Sequence, residues 1–518
     1  MKYKAVIGLE FHCEMKSNAK VFSKSKNSFS KTPNSHVAPL DMAFPGTLPI
    51  LNKECVRKAV MMSLILNCKV PEYMEFDRKN YYYPDLPKGY QLTQFFNPVG
   101  TKGKVTIDVN GKKKDVYIHD IHLEEDSASL DHYTDYSLID YNRAGVPLLE
   151  LVTEPCLENA GEAIAFLEHI KSIYEYTDIS DCDTKKGQIR CDVNVSIMDE
   201  DSKEFGTKVE VKNVNSFDNI RKTINYEIER QSKLKSEGKY DEVVQETRRW
   251  DDESGTTKHM RSKADAIDYK YFREPNIPRY KITEMFIEDI KKNIPQLAEE
   301  RKRKYIEKYG LSEYDAHVLV KDKKVSDYFE ECLEKCDDAK SICNFITTRL
   351  LGEINKNFTT IDDIFIRPNH IVELVTLINS KKISNDQGKK IFTLMLEEEL
   401  SPLELVKKYN MEVISDSGFI DSLVNEVINE NGDAINAYKN GRTNMLDYMV
   451  GQVMKKSKGK ANPVEAKNKL ISLINSIKNW YISISFYFVV QKIFVFYSKY
   501  LIIVLEVIIW ILKKKFWK

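Results

Sequence analysis

The chain has 518 residues, 42% hydrophobic and 30% charged, with 78 basic and 78 acidic side chains and no net charge. A length of this order corresponds to about three to four domains. The composition excludes a disordered chain, a collagen-like repeat and a polytopic membrane protein, and the charge balance confines any nucleic-acid site to a local patch.

The first apolar run, Ala5 to Leu9, predicts a strand that continues through Glu10 and His12. These two alternate with Phe11 and therefore share one face of it. The run is too short for a signal peptide or a membrane span, which predicts a cytoplasmic protein. Nine cysteines, odd in number and without a Cys-x-x-Cys pair, fit a reducing compartment with thiols used as small core residues. Helices are expected near 52–67 and 159–176. Asn110-Gly111 between Val105–Val109 and Val116–Ile118 predicts a hairpin. Lys208 to Lys212 alternates as a half-buried strand does. Residues 1–290 thus read as a large, strand-rich α+β domain.

From 291 to 405 the apolar period becomes helical, with Leu350, Leu351 and Ile354, then Ile371, Leu374, Leu377 and Ile378, and an all-α domain is expected. Cys332, Cys336 and Cys343 fall at helical spacing and predict a buried face before a metal site. Short helices are expected over 406–478, where residues 439–478 hold nine basic and two acidic side chains. Between Trp480 and Leu512, 26 of 33 residues are apolar. Lys492 and Glu506 would each cost about 2.5–3.5 kcal/mol inside a membrane span. A tail foreign to the fold, as from a shifted reading frame, therefore fits 479–518 better than an anchor, which stays the alternative.

No P-loop, G-x-G-x-x-G, G-x-S-x-G, H-E-x-x-H or Cys/His zinc spacing occurs. The unusual features are Glu10 and His12 on one strand face, the acidic run His122-Leu-Glu-Glu-Asp126, and Glu150 closing Val146-Pro-Leu-Leu149. Hard divalent cations take such oxygen ligands, although acids beside Lys and Arg also describe a solvated surface. Phe76 to Gln91 sets Arg78, Lys79 and Lys88 among four tyrosines. That stretch suits a nucleotide or a nucleic-acid end, or a proline-stiffened loop with half-buried tyrosines.

Longer strings carry a resemblance. They are Ile7-Gly-Leu-Glu-Phe-His12, Asp77-Arg-Lys-Asn80, Tyr83-Pro-Asp-Leu-Pro-Lys-Gly-Tyr-Gln91, His122 to Asp126, and Asp140 to Glu150. Arg190 to Ser196, Gln245 to Trp250, Met260 to Lys263, Asp268-Tyr269, Gly451 to Met454 and Gly459 to Pro463 complete the set. In order from about residue 3 to 478, the chain closely resembles the GatB family, the B subunits of tRNA-dependent amidotransferases. The resemblance implies a cradle-shaped catalytic domain over 1–290, a helical domain over 291–405 and a tRNA-gripping tail domain over 406–478. Residues 479–518 lie outside it.

It further implies ATP- and Mg2+-dependent phosphorylation of the side-chain carboxylate of Glu-tRNA(Gln) or Asp-tRNA(Asn). Ammonia freed from glutamine by an amidase A subunit then displaces the phosphate, in a heterotrimer completed by a small C subunit. Glu10, His12, Glu125 and Glu150 match the family's metal and catalytic positions. Lys79, Lys88 and Arg190 are expected to contact phosphate or carboxylate, and Lys455, Lys456, Lys458 and Lys460 to contact tRNA. Where many members carry a zinc knuckle, this chain has Ser23, Ser25, Ala38 and Asp41, so no zinc is expected. A tRNA-binding scaffold without catalysis is the competing reading. The related archaeal Glu-specific subunit is another, but its usual inserted domain finds no room in the match.

Overall fold

Strict alternation builds the central sheet. In β1 (Tyr3–Glu14) Ile7, Leu9, Phe11 and Cys13 are buried on one side, while Glu10, His12 and Glu14 occupy the other. The computed structural model describes residues 3–262, 268–411, 417–457, 460–476 and 504–514. They divide into two compact units, residues 1–308 with 316–323, and 309–315 with 324 onward.

The first unit is built on eight strands: β1, β2 (Gly100–Val109), β3 (Lys112–Glu125), β4 (Pro147–Thr153), β5 (Ile189–Asp199), β6 (Val209–Val214), β7 (Glu246–Asp251) and β8 (Thr256–Ser262). Their spatial order is β8-β7-β6-β5-β1-β4-β3-β2. All neighbours are antiparallel except β6 and β7. The expected hairpin joins β2 to β3, with φ of 54° at Asn110 and 81° at Gly111, as a primed two-residue turn demands.

Helices α1 (Lys53–Ile65), α2 (Ala160–Tyr176) and α3 (Phe217–Ser236) supply the other side of the core. Each starts at a side-chain cap, Asn52, Asn159 and Ser216 respectively, which satisfies a donor that the first turn leaves open. The first two fall where the sequence predicts them. Because all three helices pack against one face, the polar residues of β1, β3, β4, β5 and β6 collect on the other.

At the positions of the knuckle, Asp41 is the hub. Its Oδ2 accepts from Lys20 Nζ at 3.0 Å, Ser25 Oγ at 2.6 Å and the Ala38 amide at 2.8 Å. Ser23 and Ser25 share a 3.0 Å hydroxyl contact. Both side chains of the ion pair are almost fully buried, and burial pushes Lys20 below the usual lysine range against the pull of Asp41.

The second unit is helical, as expected. It includes Ala339–Phe345, Pro368–Asn379, Asn385–Glu398 and Pro402–Lys408, the last two opened by reciprocal Ser384/Gln387 and Ser401/Glu404 caps. Cys332 and Cys343 are buried and Cys336 is half-buried. Farther on, Ser417–Glu430, Gly432–Lys439, Asn444–Lys456 and the helix 463–476 close around Ile420, Val424, Val427, Met449, Val453, Leu470 and Ile474. Of the apolar extension only 504–514 is described, as an exposed helix. No helix among the described residues is long and apolar enough to cross a membrane.

Candidate active site

Cross-strand register sets three polar residues in a row on the open face. His12 of β1 lies opposite Glu150 of β4, which lies opposite His122 of β3. His122 donates from Nε2 to Glu150 Oε2 at 3.0 Å and from Nδ1 to Asp120 Oδ1 at 2.8 Å. Two donating nitrogens describe an imidazolium. Burial opposes that charge, but Glu150 and Asp120 raise the pKa of His122 well above the ordinary value. Glu150 is held far below the usual carboxylate range, against burial, by His122 and then His12.

Glu124, on the same face as His122, stands with Oε2 3.8 Å from His122 Nε2. Burial and then Glu150 push its carboxyl up. One ligand atom each from His12, Glu124 and Glu150 lie within 4.8 Å of one another.

A second group flanks β1 on its other side. Glu10 lies opposite Asp192, and Asn194 opposite Glu210; the carboxylates of Glu10, Asp192 and Glu210 also converge within 4.8 Å. Asn194 Nδ2 donates to Glu10 Oε1 at 3.0 Å, and Lys212 Nζ reaches Asp192 at 2.7 Å and Glu210 at 3.2 Å. Burial, then Glu150, raises Glu10 despite Lys212. Each group also holds a buried polar atom without a hydrogen-bond partner among the described residues, His12 Nδ1 in one and Asn194 Oδ1 in the other. Converging carboxylates, joined in one group by the His12 imidazole, fit a hard divalent cation such as Mg2+.

The expected residues divide accordingly. Glu10, His12 and Glu150 share the open face, and Lys79 joins them. Burial alone would lower the lysine, but Glu124 foremost, with Tyr271 and Glu150, raises it. Arg190, opposite His12, donates from Nη2 to Asp126 Oδ2 at 2.6 Å.

Glu125, expected in the metal set, lies outside both carboxylate groups. It has the parity of buried Leu123, so its carboxylate turns from the open face into a buried ion pair with Lys88 (Oε2 at 2.6 Å) and accepts the Leu92 amide at 2.9 Å. Lys88 is correspondingly engaged. The neighbour of Glu125, Glu124, is the acid that joins His12 and Glu150.

The sequence signal lies in β3. Its buried residues run Val116, Ile118, then Ile121, Leu123, an extra residue that marks the bulge between Ile118 and Asp120. The alternation beyond the bulge puts His122 and Glu124 together.

In the tyrosine-rich stretch, Arg78 forms a two-pronged pair with buried Glu274 and lies 4.1 Å over the Tyr90 ring. Of the proposed tRNA contacts, Lys455 is exposed, and Lys456 is paired with Glu426 and Glu430 at 2.6 and 2.8 Å. Lys460 is half-buried, and Lys458 lies outside the described residues.

A mixed sheet with one polar face and two carboxylate groups across its first strand is the frame of a catalytic domain. Residues 5–288 match the GatB/GatE catalytic domain and residues 327–474 the GatB domain, and the chain belongs to the GatB family. It is similar to the B subunit of the aspartyl/glutamyl-tRNA(Asn/Gln) amidotransferase of Carboxydothermus hydrogenoformans, 43% identical over 475 residues that cover 91% of this chain and 98% of that protein. The protein of the same name from Persephonella marina is 43% identical over 472 residues, 91% and 99% of the two chains. That from Oceanobacillus iheyensis is 41% identical over 478 residues, 92% of this chain and all of the other.

Proposed function

We propose that this chain is the part of a glutamine-dependent amidotransferase that phosphorylates the side-chain carboxylate of Glu-tRNA(Gln), Asp-tRNA(Asn) or both with ATP, and then amidates it. The observation that carries the reading is the pair of carboxylate groups, His12/Glu124/Glu150 and Glu10/Asp192/Glu210, side by side on one open sheet face. The family supports tRNA-dependent amidotransferase activity, and the relatives' names state the two tRNA pairs.

A carboxylate resists amidation because oxide would have to leave; an acyl phosphate supplies a leaving group. Mg2+ bound at these acids would neutralise the triphosphate and the charge developing on the transferred group. The chain's own residues align and hold charge. His122, locked between Asp120 and Glu150, fixes the Glu150 carboxylate. Lys79 places a half-buried cation beside Glu124 and Glu150, where a phosphate oxygen can meet it. Arg190, oriented by Asp126, presents a guanidinium on the same face.

Ammonia comes from the amidase A subunit, and the small C subunit completes the heterotrimer, in the cytoplasm. The 406–478 tail domain grips the tRNA body through Lys455, Lys460 and their neighbours. The loop at Ser23, Ser25, Ala38 and Asp41 works without zinc.

The test uses the heterotrimer with ATP, Mg2+, glutamine and each misacylated tRNA, following ADP and amidated product. Wild type turns over. Glu150→Ala binds tRNA but forms ADP about 10²- to 10³-fold more slowly, as loss of one charge-stabilising group does. Unchanged ADP formation in that variant contradicts the assignment.

A further inference from the structure

Five aromatic rings run in sequence outward from the carboxylate site. Tyr81 meets Tyr269 edge to face at 5.9 Å, and Tyr269 meets Tyr271 at 5.9 Å. Tyr271 lies flat on Phe95 at 4.0 Å and 10°, and Phe96 stands edge-on against Phe95 at 5.1 Å. The row meets the site at its second ring: the Lys79 ammonium sits 5.0 Å over Tyr269. The charge that acts most strongly on that ammonium is Glu124.

The outer end faces solvent. Phe95 is 55% exposed and Phe96 57% exposed, although Tyr271 covers one face of Phe95. Two adjacent exposed phenylalanines forgo burial worth about 1.5–3 kcal/mol each.

The turn that displays them is fastened. Fully buried Asp77 accepts both the Phe95 amide at 2.8 Å and the Phe96 amide at 2.9 Å through Oδ2. Gln94, next to them, donates to the Glu75 carbonyl at 3.1 Å and accepts the Leu123 amide at 2.9 Å. Leu123 is the residue between His122 and Glu124, so the platform is hydrogen-bonded to the very strand that carries the acids. A rigid, exposed π-face beside a cation and an acid cluster matches the recognition of a nucleobase whose phosphates lie toward the charged end.

We propose that the free face of Phe95, backed by Tyr271, stacks the adenine of an adenosine, either that of ATP or that of the 3′-terminal nucleotide of the tRNA. The assignment rests on the reading of the neighbouring acids as a phosphoryl-transfer site. It deepens that reading by naming the group that holds the base.

The test compares wild-type, Phe95→Leu and Phe95→Trp heterotrimers in equilibrium binding. The probes are a non-hydrolysable ATP analogue, inorganic tripolyphosphate, and uncharged tRNA with and without its terminal adenosine. Leucine keeps apolar bulk and removes the ring, so loss of stacking weakens the adenine-bearing ligand on the order of 10- to 100-fold. Tryptophan restores it.

If the ATP analogue weakens and tripolyphosphate does not, the base is that of ATP. If only the complete tRNA weakens, to the level of the trimmed one, the base is its terminal adenosine. Both results support the platform. Phe95→Leu binding every probe as wild type does, while the wild type forms ADP, overturns the platform and leaves the phosphoryl-transfer reading standing. Loss of the amidase from the complex of that variant, with ligand binding intact, overturns it in favour of a protein contact. A wild-type heterotrimer that forms no ADP and binds no ATP analogue removes both readings.

Discussion

Side chains alternate along a strand, so Glu124 and Glu125 face opposite ways. The first joins His12 and Glu150, while the second is held by Lys88 and the Leu92 amide. Their replacements should therefore separate two properties. Glu124→Gln is expected to lower Mn2+ affinity, read by calorimetry or electron paramagnetic resonance, by roughly 10- to 100-fold or more, since even outer partners of a metal site cost that much. Glu125→Gln should leave Mn2+ binding intact and instead destabilise the fold, because it strands Lys88 in a buried place. Removing one partner of such a pair costs about 3–5 kcal/mol. Equal Mn2+ affinities for the two variants would contradict the division of roles. At this scale the shared face of Glu10 and His12 is legible in the sequence, because alternation along one strand is a local rule, whereas Glu150 is reached there only through the family resemblance. Glu124 is legible only to a reader who counts the bulge, and Asp192 and Glu210 need a pairing between β5 and β6 that no local pattern states.

At the scale of elements, the loop between β1 and α1 is tied by a buried ion pair. A buried Lys20–Asp41 pair, with Ser25 and the Ala38 amide on the same carboxylate oxygen, ties the chain where a metal could otherwise clamp it. Asp41→Ala leaves the Lys20 ammonium buried without its carboxylate and is expected to cost about 3–5 kcal/mol in urea unfolding. A chelator should leave the unfolding midpoint of the wild type unchanged. A midpoint that falls with chelator and recovers with zinc would contradict a loop held by this pair. The absence of thiols there is plain in the sequence; the buried lysine is not, since Lys20 looks like any surface lysine until the fold encloses it. The hairpin at Asn110-Gly111 and helices α1 and α2 are readable because turn chemistry and apolar period agree. Helix α3 is harder to read because its buried set includes Thr223, Glu227 and Gln231; Gln231 donates to the Val195 carbonyl and Glu227 accepts from the Thr257 hydroxyl.

For the whole molecule, a neutral chain that binds tRNA must concentrate charge. The proposed tRNA contact would draw on the surplus of basic residues over 439–478, where Lys456 is committed to Glu426 and Glu430. If about six phosphates are contacted, tRNA affinity should fall on the order of 10³-fold between 50 and 200 mM salt. A flat salt dependence would remove the tail from the tRNA interface. The order of a strand-rich α+β part followed by helices follows from the change of apolar period, which is why the fold class is readable without coordinates. The chemistry needs both scales, since the acids matter only when the sheet brings them together beside Lys79.

The most direct measurement withholds glutamine, adds hydroxylamine, and follows one turnover of the heterotrimer on Glu-tRNA(Gln) or Asp-tRNA(Asn) with ATP and Mg2+. An acyl phosphate on the substrate side chain is trapped as the hydroxamate. Wild type should yield hydroxamate and ADP in equal amounts, and Glu124→Gln neither. No hydroxamate from the wild type on a tRNA that it amidates once glutamine is supplied, or full hydroxamate yield from Glu124→Gln, would contradict the account.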